Sequence, residues 1–322
     1  MSMDIRQGDC LGLLREMAAG SVRCCVTSPP YWGLRDYGHE GQLGLEPTPE
    51  EYVARLVEVF REVRRVLADD GTLWLNLGDS YASNGPGSWG SSDKSTLTTA
   101  SPKGAWAPGK TVGTTPVRDC SGLKPKDLCG IPWRVAFALQ ADGWYLRSEI
   151  IWAKPNPMPE SVTDRPTKAH EQVFLLAKSQ RYYYDAWAVS EPATHAGKVV
   201  NLGEKSLSRG QAAGAGVKAS GNGTADSVTV ADLRNRRTVW TVPTQPFSEA
   251  HFAVMPEALV EPCILAGSAL GDTVLDPFAG SGTVGVVALR YGRRFIGCEL
   301  NAEYAQMARR RVAGPLFAEV AP

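Results

Sequence analysis

The chain has 322 residues, enough for one large α/β domain or two small ones with a substantial core. Its 34 Lys and Arg balance 34 Asp and Glu, which excludes a globally basic polyanion binder, so any nucleic-acid face must be local. Seven cysteines without Cys-x-x-Cys spacing and only four histidines argue against a metal site and a disulfide framework, and with no leader or long apolar span the expectation is a cytoplasmic protein without a membrane role.

In chain order, Gly8-Asp9-Cys10 precedes a helical pattern of Leu11, Leu13, Leu14 and Met17, so Asp9 reads either as an N-cap or as a polar group at a strand end. Val22 to Val26 is short and apolar with little alternation, which suits a strand buried on both faces of a parallel sheet. The turn Thr27-Ser28-Pro29-Pro30-Tyr31-Trp32 then stands at the carboxyl edge, where open α/β sheets bind ligands. Its two prolines fix φ and lack N–H groups, leaving carbonyl oxygens to face outward. Ser28 adds a hydroxyl and Tyr31 a flat ring, a combination that suits a planar base with an exocyclic amine. The plainer reading is a surface turn closed by Pro-Pro-aromatic.

Pro49 to Leu67 carries apolar residues at Tyr52, Leu56, Val59, Phe60, Val63 and Leu67, an amphipathic helix ended by Asp70-Gly71, and Thr72 to Leu77 reads as the next strand. Residues 83–115 turn to Gly, Ser, Thr, Pro and Lys and read as a long mobile loop, either a lid or a plain insertion. Pro132 to Gln140 is helical and Trp144 to Trp152 a strand ending at Lys154-Pro155-Asn156-Pro157. Val173 to Ala177 and Tyr182 to Tyr184, joined by Lys178 to Arg181, read as an antiparallel hairpin at one side of the sheet. Between Asp185 and Phe247 the chain gains Gly and the basic residues Lys198, Lys205, Arg209, Lys218, Arg234, Arg236 and Arg237. This is a solvated linker or a recognition segment whose cations neutralise phosphates.

The last seventy residues carry the most specific pattern. Val274-Leu275-Asp276 is a strand, Pro277 to Gly285 a glycine loop leading into a helix, Arg294 to Cys298 the next strand, and Glu299 the acid at its end. Gly280, Gly282 and Gly285 have Gly-x-Gly-x-x-Gly spacing, and Glu299 stands where a carboxylate accepts from ribose hydroxyls. Asp276-Pro277-Phe278 intervenes before the glycines, so an acid and a ring are available for the cationic amino-acid end of S-adenosylmethionine; spacing alone leaves a dinucleotide open. Cys263 shares a helical apolar stripe with Leu259, Val260 and Ile264, which makes it core rather than the nucleophile of a C5-cytosine enzyme.

Taken together, Gly8-Asp9 with Thr27 to Trp32, then His251-Phe252-Ala253-Val254-Met255-Pro256, Asp276 to Gly282 and Glu299 resemble the permuted, beta-class DNA amino-methyltransferases, over most of the chain. Phe252 departs from the family, which often has Pro after this His. The resemblance implies a Rossmann-like α/β sheet with circularly permuted motif order and inserted irregular loops. Residues 1–185 would form the catalytic half, 186–248 a target-recognition segment and 249–322 the S-adenosyl-L-methionine half of the same domain. It further implies that Asp9, His251, Phe252, Asp276, Phe278, Gly280, Gly282 and Glu299 bind the cofactor, while Ser28, Pro29, Pro30 and Tyr31 hold a base flipped from double-stranded DNA. Ser at the first position of the turn leans toward cytosine N4, with adenine N6 the alternative, and a separately encoded restriction endonuclease is an expected partner. A nicotinamide dehydrogenase would explain the glycines but not Thr27 to Trp32. An inert DNA-binding module would retain the fold without turnover.

Overall fold

The computed structural model describes residues 2–34, 41–82, 122–194, 196–197, 199–201, 217–218, 227–230, 232–245 and 254–317. The loop expected over 83–115 lies outside them, as do His251, Phe252, Lys198, Lys205 and Arg209.

An eight-stranded sheet organises the described chain, in the order β1 (Met3–Gln7), β13 (Arg294–Glu299), β12 (Thr273–Asp276), β2 (Val22–Thr27), β3 (Leu67–Leu77), β5 (His170–Ala177), β4 (Tyr145–Ala153) and β11 (Val239–Thr241). β5 pairs antiparallel with both neighbours, and every other pairing in this sheet is parallel. Two small antiparallel sheets stand apart: β6 (Glu191–Pro192) with β10 (Leu233–Arg234), and β7 (Val199–Asn201) with β9 (Ser227–Val230) and β8 (Val217–Lys218), where Lys218 falls.

The central strands read as apolar runs because each of their faces is covered. Cys25, Leu73, Leu75 and Leu275 pack in one core with α1 (Cys10–Arg15), α2 (Pro49–Val66) and α3 (Ile131–Ala141). The alternate residues Cys24, Val26, Trp74 and Val274 pack in a second core with α4 (Glu257–Gly267), α5 (Thr283–Arg290) and α6 (Ala302–Phe317). The local signals are plain in α2. Thr48 Oγ1 accepts from Glu51 N at 3.2 Å, Pro49 begins the helix, Glu50 and Glu51 occupy its first turn and Arg64 and Arg65 its last.

Two expectations change. Asp70-Gly71 is no turn before a strand: β3 begins at Leu67, and between Val22↔Leu67 and Cys24↔Thr72 the register shifts, so Asp70 and Gly71 lie in an irregularity of β3. Arg23 holds that irregularity by pairing with Asp70. The hairpin is also different. β5 pairs with β4 and β3, not with Tyr182 to Tyr184; the rings of Tyr182 and Tyr184 pack on the second core, Tyr184 stacking at 6.4 Å on Trp74.

Candidate active site

Parallel strands deliver their carboxyl ends to one edge, and here β12 and β2 are neighbours, with Leu275 opposite Cys25. The glycine loop and the Pro-Pro turn are therefore adjacent although 249 positions separate Asp276 from Thr27, whose Oγ1 donates to Asp276 Oδ1 at 2.6 Å. A cavity of about 460 Å³ lies along this edge, lined among others by Asp9, Ser28, Tyr31, Asp276, Phe278 and Glu299.

On the β1, β12 and β13 side the acids are held by backbone. Asp9 caps α1, accepting from Gly12 N at 2.9 Å, so the N-cap reading and the place on the cavity wall hold together. Asp276 is buried and also accepts from Phe278 N at 3.0 Å. Burial, with a smaller push from nearby Glu299, raises its carboxyl to about 7 against the pull of the Thr27 hydroxyl and the Phe278 N–H. Glu299 takes Gly280 N at 2.8 Å on one oxygen and Asn301 N at 2.9 Å on the other, which fixes the carboxylate against the loop.

The glycines divide by role. Gly280 has φ +51 and borders the cavity, and a Cβ there would meet only the Phe278 carbonyl at 3.9 Å, so the backbone is open to a ligand. Gly282, at φ +80, does not line the cavity. A Cβ there would stand 2.8 Å from Val312, so this glycine admits α6; Gly285 does the same against Phe295 and Val312. Arg311 braces the loop from α6, donating to Ser281 Oγ at 2.9 Å and Thr283 Oγ1 at 3.0 Å.

On the β2 side the groups meet through side chains. Tyr31 Oη donates to Glu171 Oε2 at 2.7 Å and accepts from Asn76 Nδ2 at 2.8 Å. Ser28 Oγ lies 3.4 Å from both Tyr31 Oη and Asn76 Nδ2. Lys154, at the end of β4, pairs with Glu171 and lies 4.3 Å from the centroid of the Trp152 ring. The Pro30 carbonyl accepts from Tyr52 Oη at 2.8 Å. Burial and the Glu171 carboxylate hold the Tyr31 phenol well above its usual range, so it stays protonated. Its ring packs over Gly78, where a Cβ would come within 2.4 Å. Sequence reasoning missed Asn76, Lys154 and Glu171. Their signal was there in part: a polar residue inside the apolar run Leu73–Leu77, and charged residues where β4 ends and β5 begins, at one sheet edge.

Of the basic residues, Arg234 and Arg237 both pair with Glu191, at 2.9 and 2.5 Å, and the Arg236 guanidinium stacks 4.8 Å from the Trp240 ring centroid. Cys263 is buried in α4, its thiol donating to the Leu259 carbonyl at 3.3 Å and pushed well up by burial, which leaves it unsuited to nucleophilic attack. Among the described residues no group of His, Cys, Asp and Glu is placed to hold a metal, and no helix is long and apolar enough to cross a membrane.

The DNA methylase family model, N6_N4_Mtase, matches residues 22–310. The Type II methyltransferase M.Cfr9I of Citrobacter freundii is 49% identical over 308 residues, covering 96% of this chain and 87% of that protein. Among solved structures, the PvuII DNA methyltransferase (cytosine-N4-specific) superposes with a TM-score of 0.62 at 18% identity, covering 97% of this chain and 86% of that one. A putative DNA modification methylase of Thermus thermophilus, solved with S-adenosyl-L-methionine, gives 0.55 at 21% identity, covering 97% and 95%.

Proposed function

This chain belongs to the DNA methylase family, and we propose that the group it methylates is the N4 amine of cytosine. It is a site-specific DNA methyltransferase acting on an exocyclic amine, with S-adenosyl-L-methionine as the methyl donor. The observation that carries the choice of base is Ser28 at the head of the turn, a neutral hydroxyl within 3.4 Å of Tyr31 Oη and Asn76 Nδ2 where a carboxylate would favour adenine N6. The cytosine-N4 specificity of the PvuII enzyme, which shares the fold, accords with this.

The residues present fit the donor. Gly280 would open the backbone to it, Glu299, held against the loop, would accept from its ribose hydroxyls, and the buried acid Asp276 would take its ammonium, with Phe278 left to cover the methionine portion and Asp9 to meet the adenine. When bound, S-adenosyl-L-methionine supplies an electrophilic methyl on a sulfonium centre. The chain's own part is orientation: an exocyclic amine shares its lone pair with the ring, and accepting its hydrogens at Ser28 and the Pro29 carbonyl favours a pyramidal nitrogen with the lone pair directed at the methyl. Flipping the base costs on the order of a few kcal/mol. Contact with the Ser28–Tyr31 turn offsets part of it.

Segment 186–248 is assigned to target recognition, with Lys198, Lys205, Arg209, Lys218, Arg234, Arg236 and Arg237 at DNA phosphates; binding there requires Arg234 and Arg237 to share or release Glu191. A separately encoded endonuclease completes a restriction-modification pair in the cytoplasm. The deciding experiment is incubation of the protein with labelled S-adenosyl-L-methionine and unmethylated duplex DNA, then digestion to nucleosides and mass spectrometry. N4-methylcytosine is expected, and N6-methyladenine would reverse the assignment.

A further inference from the structure

Methylation of a neutral amine leaves its nitrogen with two hydrogens, the new methyl group and a positive charge. One N–H bond must then break, its electron pair returning to nitrogen, and the proton must have an acceptor within reach of the nitrogen. The turn does not provide one by itself. Ser28 and Tyr31 are neutral hydroxyls, and the Tyr31 phenol is already held in its protonated form by burial.

We propose that Glu171 is the terminal acceptor of this proton, reached through the hydroxyls of Ser28 and Tyr31. The geometry is continuous. Ser28 Oγ donates to Tyr31 Oη at 3.4 Å, Tyr31 Oη donates to Glu171 Oε2 at 2.7 Å, and Ser28, Tyr31 and Glu171 all border the cavity. The amine proton passes to Ser28 Oγ as the Ser28 proton passes to Tyr31 Oη and the Tyr31 proton to Glu171. One N–H bond is lost and one O–H bond gained, both hydroxyls ending as they began. The carboxylate becomes a neutral acid, Lys154 stays cationic, and the charge that arrived with the methyl group leaves as a proton to water.

The fold explains why the acceptor comes from so far along the chain. β5 runs opposite to its neighbours, so its first residues, not its last, reach the carboxyl edge of the parallel strands. Glu171 thereby stands across from Trp152 and close to Lys154. The pair is largely sheltered, with side-chain exposures of 17% and 15% for Lys154 and Glu171. Burying such a pair contributes little to stability on its own, which makes a functional reason for it worth testing. Asn76, 2% exposed, completes the arrangement: its Nδ2 steadies Tyr31 Oη and Glu171 Oε2 at 2.8 and 3.1 Å, while its Oδ1 is buried with no partner among the described residues. The cluster is thus one donor short, and the cavity it borders is where an amine would come.

This inference rests on the turn holding the target amine, and the test separates the two. Single-turnover methylation of unmethylated genomic DNA, with product nucleosides identified, is compared for the wild-type protein, Glu171→Gln, Tyr31→Phe, the double variant and Glu171→Asp. Each of the first two singles is expected to be slower by about a hundredfold with cofactor affinity within about threefold of wild type, and the double variant no slower than the slower single, because both interrupt one path. Glu171→Asp should recover part of the rate, which a purely structural role of the ion pair would not predict. Wild-type formation of a methylated amine together with a Glu171→Gln rate within about threefold of wild type would overturn the relay alone, as would losses that multiply in the double variant. If Glu171→Gln fails to fold, Tyr31→Phe decides, since it keeps the ion pair and breaks the path; an undiminished rate there overturns the proposal.

Discussion

The two ends of the cavity are built in opposite ways. At the ends of β1, β12 and β13 each acid is fixed by backbone a few residues away: Gly12 N on Asp9, Phe278 N on Asp276, Asn301 N on Glu299. At the ends of β2, β3 and β4 and the start of β5 the bonds run between side chains, most of them distant in sequence: 45 positions for Asn76 and Tyr31 and 140 for Tyr31 and Glu171. The first kind of site rests mainly on its own loops, with longer ties from Gly280 N to Glu299 and from Thr27 to Asp276. The second exists only once β5 has entered between β3 and β4. Cofactor binding should therefore survive damage on the base side. The converse does not hold, because Asp276 also accepts from Thr27 at the head of the turn.

Substitutions can break this asymmetry. The largest expected effect is that of Tyr31→Ala, which removes the ring over Gly78 and the hydroxyl between Ser28 and Glu171: single-turnover methylation falls by about a hundredfold or more while cofactor affinity, measured by titration calorimetry, stays within about threefold. Equal losses in both would show that the two ends are one unit. Asp276→Ala is the counterpart. Removing a buried acid opposite a cationic ligand is expected to weaken cofactor binding by roughly tenfold to a hundredfold, with methylation falling even at saturating cofactor because Thr27 loses its acceptor. Full methylation at saturation would sink the coupling through Thr27.

The same contrast governs what the sequence makes legible. The strand, glycine loop, strand and acid from Val274 to Glu299 are readable because their bonds are local, and so are the Asp9 cap and the amphipathic α2. That the Pro-Pro turn and the loop share one sheet edge is legible, since both follow buried parallel strands, whereas the neighbouring of β12 and β2 that makes them adjacent is not. Glu171 and Lys154 are not, because a charged residue at a strand end has the same local signature whether it meets solvent or a partner across the sheet. The Tyr182–Tyr184 run has the alternation and ring content of a strand, yet its rings are used for packing, Tyr184 on Trp74, and the β5 edge it was expected to fill is taken by β4. Asp70-Gly71 reads as a turn by composition and is absorbed as an irregularity within β3.

Two smaller effects sharpen the comparison within the cofactor end. Burial raises the Asp276 carboxyl from its ordinary 3.8 to about 7, so between those values the folded chain holds a proton that the unfolded chain has released, and this residue's contribution to stability declines as pH rises through that window. A cationic ligand group reverses the preference, because it needs the ionised acid. Cofactor affinity should accordingly approach its full value above about pH 8 and fall by about tenfold between about pH 8 and about pH 6, a dependence that Asp276→Asn flattens. A flat wild-type profile would place the ammonium elsewhere. Gly282→Ala should have the smallest effect on ligands and act on the fold instead: at φ +80, with the new Cβ 2.8 Å from Val312 and 3.1 Å from Ala308, it pushes α6 off the loop. Overpacking of this kind costs about 1–3 kcal/mol, visible as a lower thermal midpoint. Cofactor affinity at a temperature where the variant is folded should stay within about threefold of wild type. A larger loss would mean that the loop transmits the displacement of α6 to Gly280, and that the backbone-built end is less self-contained than its hydrogen bonds indicate.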